Sequence, residues 1–96
     1  DQETRLLLSN TDSRIAFGLY TDEACQNAAT DIDGNTVGNS KVIDKDGKVN
    51  FAKISEGTYY LKETVGNFTI LLEMVLIVLM VKRFIKLKLK MKIIKL

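Results

Sequence analysis

Residues 47–64 read Gly47-Lys48-Val49-Asn50-Phe51-Ala52-Lys53-Ile54-Ser55-Glu56-Gly57-Thr58-Tyr59-Tyr60-Leu61-Lys62-Glu63-Thr64, and this stretch decides the fold class. From Lys48 to Ile54 apolar and polar residues alternate, with Val49 and Phe51 on one face. Successive side chains of a strand leave opposite faces, so alternation at period two marks a half-buried strand. Ser55-Glu56-Gly57 is a turn signal. Thr58 to Val65 follows with strong β propensity, and Tyr59, Leu61 and Glu63 share one face.

Working outward, the same texture recurs. Asp44-Lys45-Asp46-Gly47 reads as a tight hairpin turn, because Asp-Gly supplies the positive φ such turns need. Lys41-Val42-Ile43 before it is a short strand. Residues 14–20 alternate with Ile15, Phe17 and Leu19 on one face and Arg14, Ala16, Gly18 and Tyr20 on the other. Thr4 to Leu8 is a Leu-rich run closed by the polar cluster Ser9-Asn10-Thr11-Asp12-Ser13. Between these, Thr21 to Ala29 reads as a single helical turn capped by Thr21, with Asp22 and Glu23 near its positive end. Asp31 to Asn39 is turn-rich. Five short strands at this spacing indicate an all-β sandwich or barrel, with no βαβ rhythm and no internal repeat.

Charge divides the chain in two. Of its 96 residues, 1–67 carry seven basic and eleven acidic side chains, a net charge of −4. Residues 68–96 carry seven basic side chains against Glu73 alone, a net charge of +6. All six glycines lie at or before Gly66. The acidic first part argues against nucleic acid as a partner, since phosphate binding needs clustered Lys and Arg. The chain has no histidine, the usual general base and metal ligand. Cys25 is alone and makes no intramolecular disulfide. A nucleophilic role for it without a histidine is not expected. Asp31-Ile32-Asp33-Gly34-Asn35 and Asp44-Lys45-Asp46-Gly47 have the look of calcium loops, but an EF-hand places glycine sixth and a bidentate Glu twelfth. Here glycine is fourth and position twelve from Asp31 is Val42, so both read as turns. No cofactor and no metal is expected. No basic-then-apolar leader precedes Asp1, and the chain reads as a mature portion or fragment.

Phe17-Gly18-Leu19-Tyr20 followed by the 47–64 stretch resembles the collagen-adhesin B-type domain, also called the pilin prealbumin-like domain, of Gram-positive surface proteins. The pattern is an F-x-L-Y strand, a D-x-x-G-x-x-x-F hairpin and then G-x-Y-x-L-x-E-T. The match covers roughly residues 4–67 and its signature residues are Phe17, Leu19, Tyr20, Gly47, Phe51, Gly57, Tyr59, Leu61 and Glu63. The resemblance implies a prealbumin-like (Ig-like) β-sandwich. It also implies a non-catalytic stalk or spacer module of a pilin or adhesin, with neighbouring domains as partners and an extracellular, cell-wall location. A ligand-binding adhesin domain is the alternative. Many such domains contain a self-made isopeptide bond, in which a first-strand lysine attacks an asparagine or aspartate of the last strand, and an acid of the E-T motif shuttles protons. Glu63 stands at that acid's position on the expected inward face. A buried carboxylate is costly unless protonated or hydrogen-bonded, so one of the two is expected of it. The other participants are missing: no lysine precedes Lys41 and no asparagine follows Asn67.

Residues 68–96 leave three readings. Phe68 to Val81 is apolar but for Thr69 and Glu73, and its 14 residues fall short of the about 20 that a spanning helix needs. As a short helical anchor followed by basic residues 82–95, it satisfies the positive-inside pattern. A wall-sorting signal would need an L-P-x-T-G motif, and the chain has no proline. Alternatively the segment supplies last strands, since Ile85 to Ile93 alternates strictly between apolar residues and lysine. A composition of almost only Phe, Ile, Leu, Met, Val and Lys also fits out-of-frame sequence. The helix is favoured over strands. The expectation is thus a β-sandwich at residues 1–67, incomplete unless 68–96 contribute, and an apolar-then-basic segment at 68–96 that offers a membrane contact. The missing donor and acceptor predict no isopeptide bond. Intact mass should equal that of the sequence, and a loss of ammonia or water would refute the prediction.

Overall fold

The computed structural model describes residues 5–10, 12, 14–81 and 84–95. They form seven strands: β1 (Arg5–Ser9), β2 (Ile15–Tyr20), β3 (Lys41–Val42), β4 (Lys48–Ala52), β5 (Gly57–Val65), β6 (Phe68–Val81) and β7 (Phe84–Lys95). β1 and β4 make a two-stranded sheet, and the other five make a second sheet in the order β3-β2-β5-β6-β7. Every pairing is antiparallel.

The core lies between the two sheets. Ile15, Phe17 and Leu19 of β2, Val49 and Phe51 of β4, and Tyr59 and Leu61 of β5 are buried in one cluster. Met74 and Leu76 of β6 join it. These are the alternate positions that the sequence pattern puts on one face of each strand, and burying a side chain of this size contributes ~1.5–3 kcal/mol. Phe51 and Leu19 are completely inaccessible. Tyr59 is buried without leaving its polar end unpaired, because its hydroxyl donates to the Ser55 carbonyl at 2.6 Å. That bond also closes the turn between β4 and β5.

One side chain enters the core out of phase. Continued alternation from Val49 and Phe51 would turn Lys53 inward. Lys53 instead adopts φ 57°, which ends β4 at Ala52 and exchanges the faces. Ile54 is buried in its place, and Lys53 is exposed with its ammonium 3.8 Å from Asp33.

Two glycines bring segments of backbone together. Gly47 at φ 75° ends the β3–β4 turn, and its carbonyl accepts the Asn10 N–H at 2.8 Å. A Cβ there would collide with the Asn10 carbonyl. Gly38 locks the 28–38 loop onto β2: its carbonyl accepts the Leu19 N–H at 2.8 Å, and its N–H donates to Ala29 at 2.9 Å. A Cβ on Gly38 would overlap the Leu19 carbonyl and the Ala29 nitrogen.

Two expectations are corrected. Residues 21–29 form no helical turn but a loop that Asp22, and not a capping Thr21, organises. The Asp22 carboxylate accepts the N–H groups of Gln26 at 3.1 Å and Asn27 at 2.8 Å. Cys25 then sits at φ 57°, a left-handed conformation that stops a helix from propagating. Residues 68–81 and 84–95 are strands and not a helix, and no helix among the described residues is long and apolar enough to cross a membrane. The cause is the open edge of β5. Gly66, at φ 58°, and Asn67 make a two-residue turn, and β6 returns along β5 over nine registers from Val65↔Phe68 to Gly57↔Leu76. A helix would leave that row of β5 backbone groups without partners. The apolar run lacks alternation, and from Ile70 to Ile77 side chains on both faces of β6 are at least half-buried: Leu71, Met74 and Leu76 are buried, and Ile70, Leu72, Val75 and Ile77 are half-buried.

Phe51→Ala should cost about 3–5 kcal/mol in chemical denaturation, as expected for an aromatic removed from a packed interior. Gly38→Ala should destabilise more than Gly34→Ala. Gly34 is at φ 87° with nothing near its added methyl, so its loss is limited to left-handed strain of about 1 kcal/mol.

Candidate functional site

The structure sets Lys41, Phe17, Glu63 and Ile70 in one row across the large sheet, through the pairs Phe17↔Lys41, Phe17↔Glu63 and Glu63↔Ile70. Directly paired residues of antiparallel strands share a face, so the row lies on the core side. Phe17 is buried, while Glu63 is only half-buried. Among the described residues no hydrogen bond or ion pair engages its carboxylate. Glu63 thus lies on the expected inward face, half-buried. It lies near the Gly66 end of β5, between the buried Phe17 and the half-buried Ile70.

Lys41 was read from sequence only as the start of a short strand. Its Nζ lies 4.9 Å from the centre of the Phe51 ring and donates to the Asn50 carbonyl at 3.2 Å. A cation over an aromatic face is attracted by the ring quadrupole. Lys41 thus spans from the edge of one sheet to the other. Lys41 and Glu63 are two strands apart on either side of Phe17, a backbone separation of roughly 10 Å. No asparagine or aspartate occupies this row.

The remaining signature residues divide by role. Leu19, Phe51, Tyr59 and Leu61 are core. Gly47 lies in the β3–β4 turn at φ 75°, and Gly57 opens β5 at φ 153°. Tyr20 is half-buried on the outer face, paired directly with Tyr60. Its ring covers Gly18 so closely that a Cβ there would stand 2.7 Å from it. Tyr60 is also half-buried, and its phenol is held above the ordinary range by burial first and then by Glu73, Glu23 and Asp22. Tyr20 and Tyr60 are 40 positions apart, and only the β2–β5 register aligns them.

The acidic loops use their carboxylates on their own backbone. Asp31 Oδ1 accepts the N–H groups of Asp33 and Asn35, each at 2.9 Å. The Asn35 amide in particular holds the Asp31 carboxyl below its ordinary range. Asp44 accepts from Asp46 at 2.8 Å and Lys48 at 3.0 Å. The Cys25 thiol is pushed up by partial burial, which disfavours the nucleophilic thiolate, and it donates weakly to the Glu23 carbonyl at 3.7 Å.

A family model described as a prealbumin-like fold domain (SpaA) matches residues 8–75, more than two-thirds of the chain. The chain belongs to this family. No curated protein and no solved structure matches it. The prealbumin-like match starts within β1 and reaches into β6, so it takes in both sheets and the first half of the strand that follows Gly66-Asn67.

Among the described residues an ion pair of Arg14 with Asp12, shorter than that of Lys53 with Asp33, sits between β1 and β2. The Arg14 guanidinium grips Asp12 through Nη2 at 2.8 Å and Nε at 3.0 Å, and the Arg14 N–H adds a third bond at 3.0 Å. These bonds, the side-chain one foremost, lower the Asp12 carboxyl from 3.8 to about 2. The folded chain therefore binds this proton less readily than the unfolded chain. The stabilisation is present above pH ~4 and is lost as pH falls toward 2. Asp12→Asn should flatten the thermal stability profile across that acid window and leave its shape near neutrality unchanged, as read by melting temperature against pH.

Proposed function

We propose that the chain is a non-catalytic structural module, a stalk or spacer of a pilin or adhesin displayed on a Gram-positive cell surface. The observation that supports this most directly is the prealbumin-like family match over both sheets of the sandwich. In this reading the domain is residues 1–67 completed by the first part of 68–96, and its partners are neighbouring domains of a longer secreted protein. Glu63 has a structural role or is a relic of isopeptide chemistry. Lys41 holds Asn50 and Phe51, and the Glu63 row carries no amide acceptor. The core signature residues serve packing and turn geometry, and none is assigned to catalysis, cofactor or metal.

Two observations favour further readings. The Tyr20–Tyr60 pair on the outer sheet face supports ligand binding, because an aromatic pair flanked by acids is a surface on which a partner can pack. The charge split supports membrane association through residues 68–96, which carry a net charge of +6 beside a −4 domain.

Antibodies raised against residues 5–77 should label intact, unpermeabilised cells of the source organism. Labelling that appears only after permeabilisation would overturn the surface assignment.

A further inference from the structure

The β6–β7 ladder runs past the rest of its sheet. β5 accompanies β6 only as far as Gly57↔Leu76, whereas β6 continues against β7 to Val81↔Phe84. At ~3.4 Å per residue, positions 77–81 carry the hairpin roughly 17 Å beyond its neighbour.

Alternate registers of this ladder separate by chemistry. One series, from Leu72↔Ile93 through Met74↔Met91 to Met80↔Ile85, is apolar on both strands. The other sets Lys92, Lys90, Lys88 and Lys86 opposite Glu73, Val75, Ile77 and Leu79. Positions two apart along a strand share a face. Met74 and Leu76 of the apolar series are 1% and 4% exposed, covered by the core, but Ile93 of the same series is 58% exposed. The series thus leaves the cover of the core toward β7, and it continues past Leu76, where β5 has ended.

Charge decides between occupants for this face. A second copy laid against it would bring two +6 segments together. An anionic bilayer offers the opposite charge to the lysines and an apolar layer to the alternate registers. The protruding part is too short to span, since a transmembrane strand needs about 9–11 residues in a closed barrel. We propose that the β6–β7 hairpin docks in the plane of an anionic lipid surface. Its apolar registers enter the headgroup–acyl boundary and its lysine registers form the opposite, aqueous face, drawn to the surface by charge. This rests on the membrane-association reading of residues 68–96 and is independent of the stalk assignment.

The test is flotation of the full chain with vesicles of phosphatidylcholine alone and of phosphatidylcholine with phosphatidylglycerol. Flotation with the anionic vesicles only, weakened by salt, is expected. Lys86→Gln/Lys88→Gln/Lys90→Gln should weaken it about tenfold to a hundredfold. Val78→Ser/Leu87→Ser, which alters the apolar register Val78↔Leu87, should weaken it in a protein whose circular dichroism still shows the β fold. Absence of flotation with either vesicle overturns both the docking surface and membrane association. Anionic flotation that neither variant alters leaves membrane association standing and overturns this surface. A dimer in sizing chromatography without flotation assigns the face to a second copy and overturns the proposal.

Discussion

The structure depends on the burial of Phe51 between a two-stranded and a five-stranded sheet. β4 offers only Val49 and Phe51 to the interior. With so small a covering sheet, one aromatic side chain supplies much of the contact between the layers. Phe17, Leu19, Tyr59 and Leu61 of the larger sheet complete the cluster, and Lys41 reaches over the same ring from the sheet edge. Around that contact the turns have little freedom. Gly47 brings the β3–β4 turn against Asn10 at the end of β1, and Gly38 brings the long loop against Leu19. Both positions exclude a side chain because backbone occupies the space.

The imbalance of the sheets has consequences at β6 and β7. β5 needs a partner on its second edge, and β6 fills it over nine registers. The core then extends to Met74 and Leu76. β7 pairs only with β6, at the outer edge, where lysine at alternate registers discourages further strand addition. The lysines of β7 therefore lie at the outer edge of the large sheet, one strand removed from β5.

At the candidate site, the residue types were legible and their relations were not. The E-T motif identified Glu63, and the absence of an early lysine and a late asparagine was plain in the sequence. The half-buried state of Glu63 was not, because alternation marks which face a residue takes and not how completely that face is covered. The role of Lys41 was also hidden, since a lysine at a short edge strand reads as a solvated charge until the opposite sheet brings Phe51 beneath it. The Tyr20–Tyr60 pair required the β2–β5 register.

Local pattern alone marked residues 1–67 as a β-sandwich, and with it where β2, β4 and β5 lie, which of their faces turn inward, and the family. These are local properties: side-chain alternation and turn residues act over a few positions. Only the tertiary structure decided that Phe68 to Val81 is a strand, that Ile54 and not Lys53 enters the core, and that residues 21–29 form a loop. A long apolar run carries no period to choose between helix and strand, and the choice fell to the unpaired edge of β5. A single left-handed residue, Lys53 or Cys25, carries no strong sequence mark, yet each redirects the chain because neighbouring segments fix where it must go next.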